Sequence, residues 1–325
     1  MEYRIGEEEH GKTVLEVVKH RLGISHKHLK HLKFTEGGIL VNGEPVTVRF
    51  VLRRGDVLAV ATEDSESGEK LVPVDLPLSV LYEDDDVVVP TKPAYMPTHP
   101  SFGHYEDTVA NALAYRYAER GIPFVFRPVN RLDRNTSGLL LIARNRMAAA
   151  TLFHAMRSGR IRKLYLAVLE GELPSGDGVI ETYMRRTAES ILVREVCGED
   201  GGGDFAKTRY RVLSVRKGRT LVAAAPLTGR THQLRVHFAH LGCPIVGDDL
   251  YGRASDEIGR HALHSCVLSF PRPSDGGKTT VCAPLFEDML RLCEGLFDEL
   301  PDEEMLISLC EELTREKTLP HVTGV

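Results

Sequence analysis

The sequence lacks several features that would have assigned it to a common class of protein. No apolar run approaches the length of a membrane-spanning helix, and the first residues do not have the pattern of a signal peptide. The six cysteines are scattered without a CxxC pair, so we predict reduced thiols in a cytoplasmic protein without a zinc site. The sequence also has neither a P-loop nor a dinucleotide fingerprint, and we therefore expect no nucleotide cofactor.

Charge is unevenly distributed along the chain. The 325 residues, of which 42% are hydrophobic, are enough for about two or three compact units. The net charge of −5 taken alone argues against a nucleic-acid partner. However, residues 17–35 contain no acidic residue and mix lysine and arginine with histidine, whereas the segment after residue 286 is rich in Asp and Glu. Because a phosphate backbone responds to charge within a Debye length of about 8 Å, the basic run favours contact with RNA.

The first 62 residues have the pattern of a small α/β unit. Thr13 and Glu16 have the spacing of a capping box before an apolar helix face, and Ser25 can cap a second helix. Asn42-Gly43 between two apolar runs predicts a tight hairpin. This pattern resembles the RNA-binding domain shared by a small-subunit ribosomal protein and several RNA-modifying enzymes. We prefer RNA contact to the alternative that the lysines only solvate a helix face, and we interpret residues 63–74, of which 63–70 are polar, as a linker.

The chain is organised around residues 130–143. Asp133 stands between Arg131 and Arg134, and an Asn-Thr-Ser-Gly turn follows it. The apolar residues 139–143 have the length of a buried strand, so Asp133 is predicted to lie in a rigid loop at the end of a core strand. For an aspartate considered alone, a salt bridge with a neighbouring arginine would be the simpler interpretation.

Two later motifs favour a catalytic interpretation of this aspartate. Residues 163–171, Lys-Leu-Tyr-Leu-Ala-Val-Leu-Glu-Gly, alternate like a strand and carry Tyr165. Residues 227–237, Leu-Thr-Gly-Arg-Thr-His-Gln-Leu-Arg-Val-His, contain Leu234 and Arg235, and Thr231 is predicted to cap a helix there. His237 and His240 have the spacing of metal ligands, but no third ligand accompanies them, so we predict packing roles and no metal.

Together the three motifs resemble those of the RluA family of pseudouridine synthases over residues 75–290. The first motif is usually His-Arg-Leu-Asp-x-x-Thr-Ser-Gly, and Asn130 replaces the histidine here. The second is usually Lys-x-Tyr-x-Ala-x-Val-x-Gly, and the third is nearly intact. The resemblance implies an α+β fold, with a mixed but mainly antiparallel sheet around a central catalytic cleft. Residues 291–325 lie beyond it and are predicted to form an acidic helical extension.

The resemblance also implies an activity and its residues. The family isomerises specific uridines of structured RNA to pseudouridine without a cofactor, most commonly in ribosomal large-subunit RNA and second in transfer RNA. Asp133 corresponds to the catalytic residue and Arg131 to the arginine that helps to displace the target base. Tyr165 and Leu234 correspond to the residues that hold the uracil, and Arg235 to the arginine that pairs with the aspartate. We expect a monomer, and three routes stay open for Asp133: attack on the sugar, attack on the base, or removal of a sugar proton.

Two other functions fit part of the sequence. A non-catalytic RNA-binding or ribosome-assembly protein could keep this fold, but binding alone needs no carboxylate at position 133, where RNA phosphates would repel it. A glycoside-processing enzyme would need a second acid near Asp133, and none stands out in the motifs.

Overall fold

The structure contains a small and a large β-sheet, which use different parts of the chain. The predicted second helix at Ser25 lies outside the described residues, as do most of the basic run and most of the predicted linker. The computed structural model describes residues 2–21, 38–60, 71–174, 176–190 and 192–315.

The small sheet has four strands in the order β1-β4-β2-β3 and packs with one helix. The predicted capping box is confirmed, since the Thr13 backbone N–H donates to Glu16 Oε2 at 2.8 Å and the Glu16 N–H donates to the Thr13 hydroxyl at 3.3 Å. Asn42 and Gly43 both have positive φ, as the predicted tight hairpin requires. The elements are β1 (Glu2–Arg4), α1 (Val14–His20), β2 (Ile39–Val41), β3 (Glu44–Pro45) and β4 (Val57–Val60).

The large sheet has twelve strands and is antiparallel except for one parallel pair, β8 with β15. Its main path runs β12-β11-β13-β14-β10-β15-β8-β6-β9-β7, with β16 beside β15 and β5 beside β6. This arrangement confirms the predicted α+β class and the mainly antiparallel sheet. The strands are β5 (Ser79–Glu83), β6 (Val87–Lys92), β7 (Arg127–Pro128), β8 (Ser137–Leu139), β9 (Ile142–Ala143), β10 (Arg162–Glu170), β11 (Asp177–Arg186), β12 (Arg194–Cys197), β13 (Asp204–Arg216), β14 (Arg219–Pro226), β15 (Leu263–Pro271) and β16 (Lys278–Cys282).

Helices cover the large sheet. The helix Arg146–Arg157 packs on β9 and β15, and the helix Glu303–Thr314 packs on β10 and β14. None of the helices in the described ranges is long and apolar enough to span a membrane. The helices are α2 (Val109–Ala118), α3 (Arg146–Arg157), α4 (Gln233–His240), α5 (Glu287–Leu296) and α6 (Glu303–Thr314), with a single 3₁₀ turn at Glu199–Gly201.

The last helix contributes to the hydrophobic core of the large sheet. Its residues Leu306, Leu309, Cys310 and Leu313 are buried and recur at the three- and four-residue spacing of one helix face. The acidic residues of this segment therefore occupy the other side of a helix that the core needs. The boundary drawn after residue 290 stays a prediction.

Strand register brings the first two sequence motifs together. Tyr165 on β10 pairs with Ser265 on β15, and Ser265 pairs with Gly138 on β8. Gly138 has φ +114°, and a Cβ at this position would collide with the backbone of Ser265. Only glycine therefore allows β8 to approach β15 closely enough to form this pair. The pairing places the Asp133 loop, which precedes β8, beside the start of β10.

Candidate active site

One pocket collects all five residues that the sequence singled out. Arg131 and Asp133 come from the loop before β8, Tyr165 comes from β10, and Leu234 and Arg235 come from α4. The pocket is also lined by Leu132, Thr136, Lys163, Pro226, Leu263 and the segment from Thr228 to Gln233.

The carboxylate of Asp133 lies in this pocket beside two nitrogen-bearing side chains. Its Oδ2 is 3.6 Å from Nη1 of Arg235 and 3.8 Å from Nε2 of His232. The Asp133 side chain is 21% exposed, so it remains accessible to a ligand that enters the pocket. The structure therefore places the central carboxylate where the sequence motifs required it.

The main partner of Arg235 is Asp248, which the sequence did not single out. Nε and Nη2 of Arg235 each donate to a different Asp248 oxygen at 2.7 Å. Burial opposes both charges, but these bonds outweigh it, raising the pKa of Arg235 and lowering the pKa of Asp248. The predicted pairing of Arg235 with Asp133 is thus a longer contact, made by Nη1 while the other two nitrogens hold Asp248.

His232 is the second residue that sequence reasoning missed. It precedes α4 with a left-handed backbone, φ +59°, and it occupies the N-cap position predicted for Thr231. Its Nδ1 lies 2.8 Å from the Tyr251 hydroxyl, which fixes the ring with Nε2 facing Asp133. Burial lowers the pKa of His232, and the Asp133 charge opposes that effect. No local pattern marks the left-handed backbone at position 232, because positive φ is uncommon for residues other than glycine.

Tyr165 and Leu234 supply the apolar surface of the pocket. Tyr165 is 7% exposed and Leu234 is 5% exposed, so each has little freedom to move. Burial raises the pKa of Tyr165, which keeps its hydroxyl neutral at physiological pH. Burial also lowers the pKa of Lys163. Arg131 differs from these residues because it is exposed at the edge of the pocket.

Two buried cations anchor the Asp133 loop. Nζ of Lys92 donates to three carbonyl oxygens at 2.9 Å, including that of Arg134, and burial lowers the pKa of Lys92 to about 7. Arg260, fully buried, donates to the Asn135 carbonyl at 3.4 Å while it forms two bonds with Asp288 on α5. The backbone that directly follows Asp133 is thus held by side chains from other elements.

Asn130 has a structural explanation. It is 8% exposed, and its Oδ1 accepts the N–H of Leu141 at 2.7 Å while its Nδ2 donates to the Leu139 carbonyl at 3.5 Å. These bonds bridge the break between β8 and β9. The asparagine that replaces the usual histidine therefore supports the strand that follows the loop.

The arrangement offers one accessible carboxylate. Of the described residues that line the pocket, Asp133 alone is acidic. The nearby Asp248 is fully buried and bound by Arg235, so it does not supply the second acid that a glycoside-processing enzyme needs.

The two nitrogens of His237 lie 2.9 and 3.0 Å from the hydroxyls of Thr208 and Thr182. The described part of the chain contains no cluster of three potential metal ligands.

Comparison with known proteins identifies the class. The family model for RNA pseudouridylate synthase matches residues 86–240, which include Asp133 and Tyr165. The chain belongs to this family of enzymes, which isomerise uridine in RNA to pseudouridine. The resemblance of its three motifs to the RluA family is confirmed.

Relatives match over most of their length. The uncharacterized RNA pseudouridine synthase YjbO of Bacillus subtilis is 39% identical over 84% of this chain and 96% of its own. Ribosomal large subunit pseudouridine synthase D of Xanthomonas campestris is 36% identical over 81% of this chain and 82% of its own. The solved structure of human RNA pseudouridylate synthase domain containing 1 is 28% identical, with a TM-score of 0.59 over 76% of this chain and 97% of that chain.

Proposed function

We propose that this enzyme isomerises uridines of large-subunit ribosomal RNA, with Asp133 as the catalytic residue. The observation that carries the proposal is the Asp133 carboxylate, 3.6 Å from Arg235 in a pocket that Tyr165 and Leu234 also line. The ribosomal target is supported by three relatives of this chain, from Xanthomonas, Blochmanniella and Neisseria, that are named ribosomal large subunit pseudouridine synthase D. Transfer RNA is the second candidate.

The reaction keeps every atom of the nucleotide except the hydrogen on C5, which is replaced by a proton on N1. The bond from N1 of uracil to C1′ of ribose breaks, the base turns, and C5 forms the new bond to C1′. The hydrogen on C5 leaves to solvent and N1 acquires a proton, so no oxidant or reductant is consumed. The base must first leave its stack, which costs a few kcal/mol and favours uridines in loops or irregular stems.

Each pocket residue has a proposed role in that sequence. Arg131, exposed at the pocket edge, fills the space that the extruded nucleotide leaves. Tyr165 and Leu234 hold the uracil between them, and stacking of a base on an aromatic ring contributes about 1–3 kcal/mol. Arg235 stabilises the charge of Asp133 from a distance of 3.6 Å, and its bonds to Asp248 fix its position.

We also propose the organisation of the whole chain. Residues 1–62 form an RNA-binding unit, 63–74 a linker, 75–290 the catalytic domain and 291–325 an acidic extension. We further propose that the protein acts in the cytoplasm as a monomer.

Pseudouridine mapping tests the target. Ribosomal and transfer RNA are mapped in cells that contain the gene, in cells that lack it, and in deleted cells that carry either wild type or Asp133→Asn. We expect one or more large-subunit sites to disappear on deletion and to return with wild type only. An unchanged large-subunit map would refute the ribosomal target, and loss of a transfer-RNA site would assign the enzyme to that RNA instead.

A further inference from the structure

A second hollow of about 380 Å³ adjoins the Asp133 pocket. The two share one wall, formed by Gly229, Arg230 and Thr231. The second hollow is otherwise lined by residues at the ends of β11, β12 and β13, namely Met184, Arg185, Arg186, Arg194, Gly202 and Asp204. Whatever occupies it therefore lies directly beside a ligand of the first pocket.

The lining of this hollow is strongly basic. Arg185 and Arg230 have acidic partners, because Arg185 bonds Glu195 at 2.7 Å and Arg230 lies 3.6 Å from Asp204. The two other arginines, at positions 186 and 194, form no salt bridge with any of the described residues. Four guanidinium groups thus surround a hollow whose lining contains one carboxylate.

Strand register places these two arginines face to face. Arg186 on β11 pairs with Arg194 on β12, whereas the preceding pair, Arg185 with Glu195, joins opposite charges. Side chains directly opposite in an antiparallel pair lie on the same face, and like charges there destabilise the sheet. The edge of the sheet therefore holds two adjacent cations that no anion from the described residues compensates.

Arg194 is also held without a full set of hydrogen bonds. Its Nη1 is buried and has no hydrogen-bond partner among the described residues. The Arg194 backbone N–H donates to the Tyr251 hydroxyl at 2.9 Å, and the same hydroxyl lies 2.8 Å from Nδ1 of His232, so Arg194 lies near the residue that contacts Asp133. A buried donor without a partner costs free energy, and because Arg194 lines the hollow, a phosphate that entered it would bring acceptor oxygens to this side chain.

We propose that Arg186 and Arg194 bind a phosphodiester group of the RNA strand that delivers the target uridine to Asp133. This inference rests on the proposed function, because that function puts a single-stranded nucleotide in the adjoining pocket. Guanidinium groups suit phosphate oxygens, which accept two parallel N–H bonds. A nucleotide extruded into the first pocket leaves its flanking phosphate at the wall that the two hollows share. The contact positions the strand without reading its sequence.

The test measures how salt weakens binding of a fluorescein-labelled oligouridine, by fluorescence anisotropy. Each phosphate contact of a single strand contributes about −0.7 to the slope of log K against log salt. For Arg186→Gln/Arg194→Gln we expect a slope shallower by about 0.7, together with weaker binding. The matched control is Arg157→Gln/Arg291→Gln, which removes two exposed arginines on α3 and α5. We expect the control to keep the wild-type slope.

A slope for Arg186→Gln/Arg194→Gln equal to that of wild type and control would overturn the inference. Thermal unfolding shows whether the glutamine variant is correctly folded. Because the substitutions remove two opposed cations, its unfolding midpoint should be unchanged or higher than that of wild type. The charge-preserving Arg186→Lys/Arg194→Lys variant retains most of the slope. With an RNA substrate, KM of the glutamine variant rises more than kcat falls. Failure of the proposed function would appear separately, as turnover that persists in Asp133→Asn, whatever the salt slope of the arginine variants.

Discussion

Asp248→Asn should destabilise the protein more strongly than any other conservative substitution near the pocket. Asp248 is fully buried, Arg235 is 5% exposed, and two bonds of 2.7 Å join them. Asparagine has nearly the same shape but offers one acceptor oxygen and no charge. Arg235 would then be a buried cation whose nearest carboxylate is Asp133, 3.6 Å away.

The expected loss follows from the cost of breaking a buried ion pair. Removal of one partner from such a pair costs about 3–5 kcal/mol, because the remaining charge stays buried without compensation. A change of 1 kcal/mol shifts the midpoint of thermal unfolding by about 2–4 °C in a large domain. We therefore expect the midpoint of Asp248→Asn to fall by about 6–20 °C.

Two matched variants make the assay decisive. Asp249→Asn makes the same chemical change at the next residue, which is exposed, and should leave the midpoint within about 1–2 °C of wild type. Asp133→Asn leaves Arg235 paired with Asp248 and should also change the midpoint little. Thermal unfolding is followed by circular dichroism at neutral pH. If Asp248→Asn unfolds at the same temperature as Asp249→Asn, the pair contributes no net stability and the reasoning is wrong.

Three further predictions concern the ring, the pH dependence and the first unit. Tyr165→Ala should lower turnover by about 5- to 160-fold, the equivalent of about 1–3 kcal/mol of lost stacking, whereas Tyr165→Phe keeps the ring; equal turnover in both would make Tyr165 a packing residue. Burial lowers the pKa of His264 to about 4, so the unfolded chain binds a proton there that the folded chain excludes, and stability falls as pH drops from about 6.5 to 4. His264→Gln should reduce this slope by up to about 1.4 kcal/mol per pH unit in denaturant titrations, and an unchanged slope would refute the assignment. Removal of residues 1–62 should weaken RNA binding and flatten its salt dependence; a wild-type slope would show that this unit makes no phosphate contact.

Sequence patterns predicted the site residues better than their partners. Asp133, Tyr165 and Leu234 each lie in a contiguous motif whose residue types suit a base-binding pocket. The sequence around each residue was therefore enough to predict its place in the pocket. The predicted partner of Arg235 is Asp133, but its shortest bonds are made to Asp248. That choice depends on which carboxylate the fold buries against the guanidinium, and linear spacing does not contain this information.

The C-terminal segment shows a similar limit. Its composition predicts an acidic helical extension, and in the structure Leu306, Leu309 and Leu313 bury one helical face against the sheet. The three- and four-residue spacing was present in the sequence, but it specifies a buried face without specifying what covers it. Likewise, the need for glycine at position 138 became clear only when strand pairing placed Ser265 against it.

The central claim is that the carboxylate of Asp133 drives the rearrangement of uridine. Because the new glycosidic bond forms at C5, RNA carrying tritium at that carbon releases one tritium to solvent for each turnover. The most direct measurement compares this release from large-subunit RNA of cells that lack the enzyme, for wild type and for Asp133→Asn. We predict release with wild type and none with Asp133→Asn, while RNA affinity of the variant stays within about tenfold, or about 1.4 kcal/mol. Tritium release by Asp133→Asn at a rate near that of wild type would contradict the account.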